Sequence, residues 1–299
     1  MSIRPVNRVI TSRPTIEGAG VRLRRAFGFG DTEEYDPFLL LDDFRSDRPQ
    51  DYLAGFPWHP HRGIETITYV LSGTVDHGDS LGNRGTIAPG DVQWMTAGSG
   101  IIHQEMPKGD TKGSMHGFQL WANLPASLKM TAPHYQEIHA ADIPQVTDDD
   151  GTVARIVCGT LWGAKGPVLG VAADPHYIDI SVPPGQRKSI PVETSRHAFA
   201  YVFAGSGRFE NASAPQLVQT EQVGPSQGLG GVVVENRSLI LFDSGDEVTV
   251  HAGDQGIRFL LVTGKPIGEP VAWRGPIVMN TEQELDTAWD ELRDGTFLK

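Results

Sequence analysis

The 299-residue sequence holds a single cysteine, Cys158 in ARIVCGTLW. No intramolecular disulfide framework can staple such a chain, and the residue reads as a small buried hydrophobe. This usage fits a reducing compartment, so a cytoplasmic location is expected. Basic residues are outnumbered, with 25 Lys and Arg against 37 Asp and Glu for a formal net charge of −12. Sequence-independent nucleic-acid binding rests on Lys and Arg, so no direct nucleic-acid partner is expected. No apolar run approaches the roughly 20 residues that cross a bilayer, and no membrane association is expected. The opening MSIRPVNRVITSRP is mildly basic but lacks an apolar core, and does not read as a signal peptide. GSGRFE and GLGGVV are glycine-rich, yet no lysine follows and no dinucleotide-binding unit surrounds them; they read as turns.

Long helical periodicity is also scarce. What fills the chain instead is glycine (35) and proline (21), scattered between short runs such as ETITYVLSG, GVRLRRAFG, HAFAYVFAG, SLILFD and IRFLLVTG. These alternate or are β-branched, and turn residues bound them, which predicts an all-β barrel or sandwich architecture. The length allows two domains. The clearest helix is predicted over 281–293 in NTEQELDTAWDELRDG. Thr281 is its N-cap, Glu284 completes a capping box, and Gly295 stops it. Leu285, Ala288, Trp289 and Leu292 fall on one face, so this helix needs a surface to dock on.

A degenerate repeat divides the chain. TYVLSGTVDH (68–77) matches AYVFAGSGRFE (200–210), with Tyr69 on Tyr201 and Gly73 on Gly205 at an offset of 201 − 69 = 132. The acidic run Asp148–Asp150 is read as a solvated turn that also marks the join. The expected domains are 1–136 and 137–299, the second including the helix. Adding 132 to His59 and His61 lands on Pro191 and Glu193, and Glu65 lands on His197. Only the first half keeps the histidine pair.

That pair, in FPWHPHRGIETITY, has a counterpart in GDVQWMTAGSGIIHQEMP. His59 and His61 are spaced i, i+2, as are His103 and Glu105. In a strand, such residues share one face, about 6–7 Å apart. Two such pairs on neighbouring strands bring four ligands to one point. Three neutral imidazoles and one carboxylate suit a first-row transition metal, Fe(II) or Mn ahead of Ca or Mg, which favour all-oxygen shells. Four protein ligands leave a six-coordinate metal room for substrate and dioxygen. By parity Glu65 faces the same way as His59 and His61, and is expected to orient an imidazole or serve structurally, with direct ligation of the metal as the alternative. His77, His116, His134, His139, His176, His197 and His251 lack a ligand-spaced partner and read as surface or core polar residues. Phe56, Trp58, Trp94, Met95, Met106 and Trp121 are read chiefly as core, with a flat aromatic pocket as the alternative.

HPHRGIE followed by TAGSGIIHQE resembles the two metal motifs of the cupin superfamily, and the stretch joining them resembles the pirin family in particular. The likeness continues through HGFQLWANLP (116–125), PHYQEI (133–138) and GKPIGEPVAWRGPIVMNTEQEL (264–285). The resemblance implies two tandem cupin barrels of double-stranded β-helix type facing each other, with few short helices. It places one metal in the N-terminal barrel, and a C-terminal helix packed back on that barrel. It carries the metal ligands onto His59, His61, His103 and Glu105, with iron favoured and Mn, Ni, Cu or Zn as alternatives. Where many relatives read His-Ser-Glu this chain has His103-Gln104-Glu105, and Gln104 points to the opposite face. The activity implied is that of a quercetin 2,3-dioxygenase, with a flavonol and dioxygen as substrates and Glu105 as the catalytic base. The alternative it implies is a metal-dependent redox-sensing regulator that binds a transcription factor or a metabolic enzyme.

Overall fold

A computed structural model of the protein describes residues 2–211 and 231–299. It is all-β apart from three short 3-10 turns and one α-helix among the described residues. The chain divides into two compact units that exchange their ends. One comprises Ser12–Ile143, Gly166–Asp174 and Pro266–Lys299; the other comprises Met1–Thr11, Pro144–Lys165 and Pro175–Lys265. A cut at 136/137 runs along the chain, whereas these contacts cross it. Val6–Thr11 pairs with Ser238–Phe242 in the C-terminal barrel, and Pro266–Lys299 belongs to the N-terminal one. The acidic run is no linker. It turns a hairpin between Gln145–Thr147 and Val153–Cys158 inside the C-terminal barrel, where Asp148 and Asp150 both bind Lys188.

The N-terminal barrel is built from two antiparallel sheets. In the larger, the order is His134–Ile138, Val92–Thr96, Ile64–Ser72, His116–Asn123, Phe38–Asp43, Val21–Phe27 and Arg13–Glu17. The smaller runs Phe56–His61, Ile101–Lys108, Thr74–Asp79 and Arg84–Ile87. Phe56–His61 carries Pro57 and Pro60, which cannot donate to a ladder, and it accordingly lies at a sheet edge. Its partner Ile101–Lys108 alternates buried and half-buried residues down to Pro107, the period-2 pattern of a strand with one face inward.

The C-terminal barrel follows a related plan with a different interior. Nine strands among its described residues form one sheet around Ile156, Ile180, Val202, Phe209, Val250 and Phe259, all fully buried. The glycine shared by the two repeats has a steric reason. Gly73 and Gly205 both have positive φ (74° and 67°), and a Cβ on either would collide with a carbonyl oxygen, Lys108 O or Gly256 O. GSGRFE is therefore not a turn. It continues His197–Glu210 through a local irregularity in pairing at Gly205–Gly207. Of GLGGVV, residues 228–230 lie outside the described residues, and Gly231–Val233 opens a strand.

The C-terminal helix, Glu282–Arg293, forms as its sequence dictates. Glu284 N donates to Thr281 Oγ1 at 3.2 Å, and Thr281 N donates to Glu284 Oε2 at 3.0 Å, closing the capping box. Leu285 and Ala288 pack with Ile277, Met279 and Phe297, while Trp289 and Leu292 lean on the same cluster. Two buried cations tie this segment to the barrel. Arg62 donates to Ser99 O, Glu291 Oε2 and Phe297 O, each at 2.7 Å. Lys129 Nζ donates to Gly63 O, Asn123 Oδ1 and Val278 O at 2.9, 2.8 and 3.0 Å. Gly63 itself (φ 77°) leaves no room for a Cβ beneath Val278 O. The helix thus packs on the N-terminal barrel through contacts at residues directly beside the histidine strand. Leu285→Ala should lower stability by about 2–5 kcal/mol, read as the shift of a denaturant unfolding curve. An unchanged curve would mean the helix does not dock in solution.

Candidate metal centre

The two ligand strands lie side by side, and their register creates the site. His103 stands opposite His59 and Ile101 opposite His61. Paired residues on neighbouring strands share a face, so three imidazoles enter the barrel together. The register then slips: Glu105 stands opposite Phe56, not Pro57. Pro57 has no N–H with which to continue the ladder, and the extra residue carries Glu105 one step away from the histidines.

His59 Nε2 lies 3.0 Å from His61 Nε2 and 3.0 Å from His103 Nε2. Among the described residues, the ligand atoms of His59, His61 and His103 all lie within 4.8 Å of one another, and this three-histidine site could hold a metal ion. The outer ring nitrogens decide its chemistry. His59 Nδ1 lies 2.9 Å from Pro57 O, and His61 Nδ1 lies 3.2 Å from Pro276 O. A carbonyl only accepts, so both Nδ1 atoms carry the proton and both Nε2 atoms present lone pairs. Burial holds His59 below the usual imidazole range. It holds His61 and His103 well below, with the neighbouring imidazoles adding to the effect. Lone pairs facing each other at 3.0 Å do not make a hydrogen bond. They repel unless a cation sits between them. Metal–imidazole bonds of about 2.1 Å meeting at right angles separate their nitrogens by about 3.0 Å, so the donor set fits a transition metal.

Glu105 is not in that cluster. Its carboxylate accepts from Thr68 Oγ1 at 3.0 Å, and burial, only partly opposed by this bond, pushes it up to about 7. Glu65 does not orient an imidazole either. The histidine strand ends at His61 and a new one begins at Ile64, so counting parity across the Arg62–Gly63 turn fails. Glu65 instead accepts from Thr96 Oγ1 at 2.8 Å. The face of its strand that reaches the site carries Thr68. Gln104 alternates outward as expected and pairs with Gly78. His77 stands opposite Glu105 in the sheet and is buried, with its Nε2 3.1 Å from Glu137.

A cavity of about 500 Å³ opens onto His59, His61 and Glu105. Phe56 and Trp121 line it, whereas Trp94 and Met95 are buried elsewhere and Trp58 is 51% exposed. Sequence reasoning missed Trp273 and the Pro276 carbonyl, which arrive from more than two hundred residues away (276 − 61 = 215). It also missed Arg25, which forms a two-pronged bond to Asp42 at 2.8 and 2.7 Å on the cavity wall. A backbone carbonyl leaves no mark in a sequence. Arg25 and Asp42 stand opposite each other in adjacent strands, which only the register reveals.

Fold and site together define a two-barrel cupin protein with one buried histidine-rich centre among its described residues. A family model described as Pirin matches residues 20–122, and one described as the Pirin C-terminal cupin domain matches residues 177–298. A pirin-like protein of Caulobacter vibrioides is 43% identical over 99% of this chain and 100% of its own length. Human pirin is 37% identical, covering 98% and 93%. The crystal structure of quercetin 2,3-dioxygenase from Acinetobacter baumannii superposes with a TM-score of 0.85 at 30% identity, covering 99% of each chain. The chain belongs to the pirin family.

His59→Ala or His103→Ala should remove most bound metal, and His197→Ala, in the other barrel, should leave it. Elemental analysis of the purified variants checks this. Two tightly bound equivalents in the unmodified protein would contradict a single centre.

Proposed function

We propose that the protein is a metal-dependent dioxygenase that opens flavonols such as quercetin. In this reading His59, His61 and His103 hold a single Fe(II), and Glu105, outside the histidine cluster but on the same cavity, would complete the set as the fourth ligand. The observation that carries this reading is the cavity. It reaches His59, His61 and Glu105 together, and its volume of about 500 Å³ lies in the range of small-molecule sites. An open, roomy and mainly apolar approach supports catalysis over a purely regulatory centre, which needs no substrate access. The similarity to the quercetin 2,3-dioxygenase of Acinetobacter baumannii supports the same choice.

A divalent transition metal held by these residues supplies Lewis acidity toward a chelating hydroxyl and electron exchange with dioxygen. The protein's own groups do the rest. Glu105 takes the hydroxyl proton of the substrate at a carboxylate oxygen. Burial raises its affinity for a proton above that of a solvated carboxylate, which suits it to accept one. Thr68 Oγ1 holds one oxygen of that carboxylate at 3.0 Å and lies 2.9 Å from Gln119 Oε1, fixing where the proton is received. Leu23, Leu40, Phe44 and Val75 line the cavity with hydrocarbon, which keeps water from competing for the proton and lowers the local dielectric.

Glu105→Gln keeps an oxygen donor of similar shape and removes the basic charge. Turnover of quercetin in air should fall by about 100-fold or more, while metal content falls less than on losing a histidine. Turnover at the unmodified rate, with metal content matched, would sink the assignment.

A further inference from the structure

A run of rings leads from the histidine cluster toward the surface. The His61 ring meets Trp121 edge-on at 5.1 Å. Trp121 lies 5.9 Å from Trp273, and Trp273 stacks on Phe29 at 4.2 Å with an interplanar angle of 27°. All four side chains line the one cavity. The strip is assembled from distant pieces of chain. Trp121 comes from the sheet interior, Trp273 from the short Ala272–Arg274 strand of the C-terminal segment, and Phe29 from a turn. Trp273 is held in place because its Nε1 donates to Gly275 O at 2.7 Å. With its one polar atom spent, the indole offers only π surface to the cavity. Phe29 is 63% exposed. An exposed phenylalanine stacked on a fixed indole at the mouth of a cavity contributes little to the core, and its placement calls for a different account.

We infer that this strip is a subsite for a planar aromatic group projecting away from the metal-binding end of the ligand, and that Trp273 is the residue that sets this specificity. The inference rests on the dioxygenase reading for the chelating end of the ligand and goes beyond it for the distal end. A ligand that binds the histidine centre through a hydroxyketone edge has its remaining atoms directed along the cavity. If they form a second aromatic ring, that ring meets Trp121, Trp273 and Phe29 in offset or edge contacts, the geometry aromatic pairs prefer. A ligand with the same chelating edge and no aryl group leaves the strip empty. The strip therefore separates ligands that carry such an aromatic group from ligands of the same chelating chemistry that lack it. The nearby charges reinforce an uncharged ring at this end. Arg25 is already neutralised by Asp42 and by Glu17 at 2.8 Å, so among the described residues the wall holds no free cation for an anionic tail.

The test compares quercetin with maltol, which keeps the 3-hydroxy-4-ketone edge but lacks both aromatic rings attached to it, the fused ring and the aryl group. Binding to metal-loaded protein is measured anaerobically from the ligand absorbance, without turnover. Trp273→Ala and Phe29→Ala should each weaken quercetin binding by roughly fivefold to tenfold and leave maltol within about twofold, at unchanged metal content. Trp273→Phe should recover most of the loss. Phe29 is exposed and its removal spares the fold, so that variant decides the matter even if Trp273→Ala is unstable. The inference is overturned if both ligands weaken equally, if neither weakens, or if quercetin does not bind the unmodified protein. Quercetin binding that depends on Trp273 with no turnover in air would instead sink the dioxygenase reading alone. Turnover indifferent to both variants would sink this inference alone.

Discussion

Two imidazole nitrogens that cannot satisfy one another, the Nε2 atoms of His59 and His61 at 3.0 Å, govern the N-terminal barrel. The carbonyls of Pro57 and Pro276 take up the N–H groups of His59 and His61, and burial opposes any further protonation. What remains is two lone pairs facing each other beside His103 Nε2, with a buried carboxylate, Glu105, on the same cavity wall. Such an arrangement costs free energy until a cation occupies it. Binding the cation then stabilises the fold that built the site. The local design explains why the far end of the chain is needed. One of the two orienting carbonyls belongs to Pro276, and Arg62 and Lys129 hold that segment against the turn that follows His61.

The two barrels show how one plan serves two ends. Both bend a long antiparallel ladder at a glycine with positive φ, Gly73 or Gly205, and both bury a tyrosine four residues before it, Tyr69 or Tyr201. Inside, they part. The C-terminal barrel fills with Ile, Val, Leu and Phe, and the positions offset-matched to the histidines are Pro191 and Glu193, both exposed. An apolar interior closes tightly. The N-terminal barrel instead keeps Thr68, Gln119, Glu105 and the histidines around a cavity, polar groups that packing alone would disfavour. That concession marks it as the working barrel.

Much of this was legible in the chain. The i, i+2 spacing of His59/His61 and of His103/Glu105 is a local property of strands, and it survives whatever the rest of the fold does. The capping box at Thr281 and Glu284 is equally local, and the helix forms there. What failed was counting across a break. Parity places Glu65 beside the histidines only if one strand continues through Arg62–Gly63, and a positive-φ glycine ends it there. Glu105 stands apart from the histidine cluster because of a one-residue slip in its partner strand, which its own spacing cannot reveal. Domain ends followed the same rule. The acidic run is the turn that its composition indicates, but it lies inside the C-terminal barrel and is not a join, while the exchange of the termini is written in strand pairing, not in composition. Trp273 and Pro276 reached the site through tertiary contacts that leave no periodic signal.

The central claim is that the converging imidazoles form the inner shell of a bound transition metal. X-ray absorption at the edge of the metal carried by the purified protein tests it most directly. The account predicts a first shell of nitrogen and oxygen at about 2.0–2.2 Å, with the outer-ring scattering of three imidazoles, reduced to two in whatever fraction of the metal His103→Ala retains. A shell free of imidazole scattering, or one unchanged by that substitution, would contradict it.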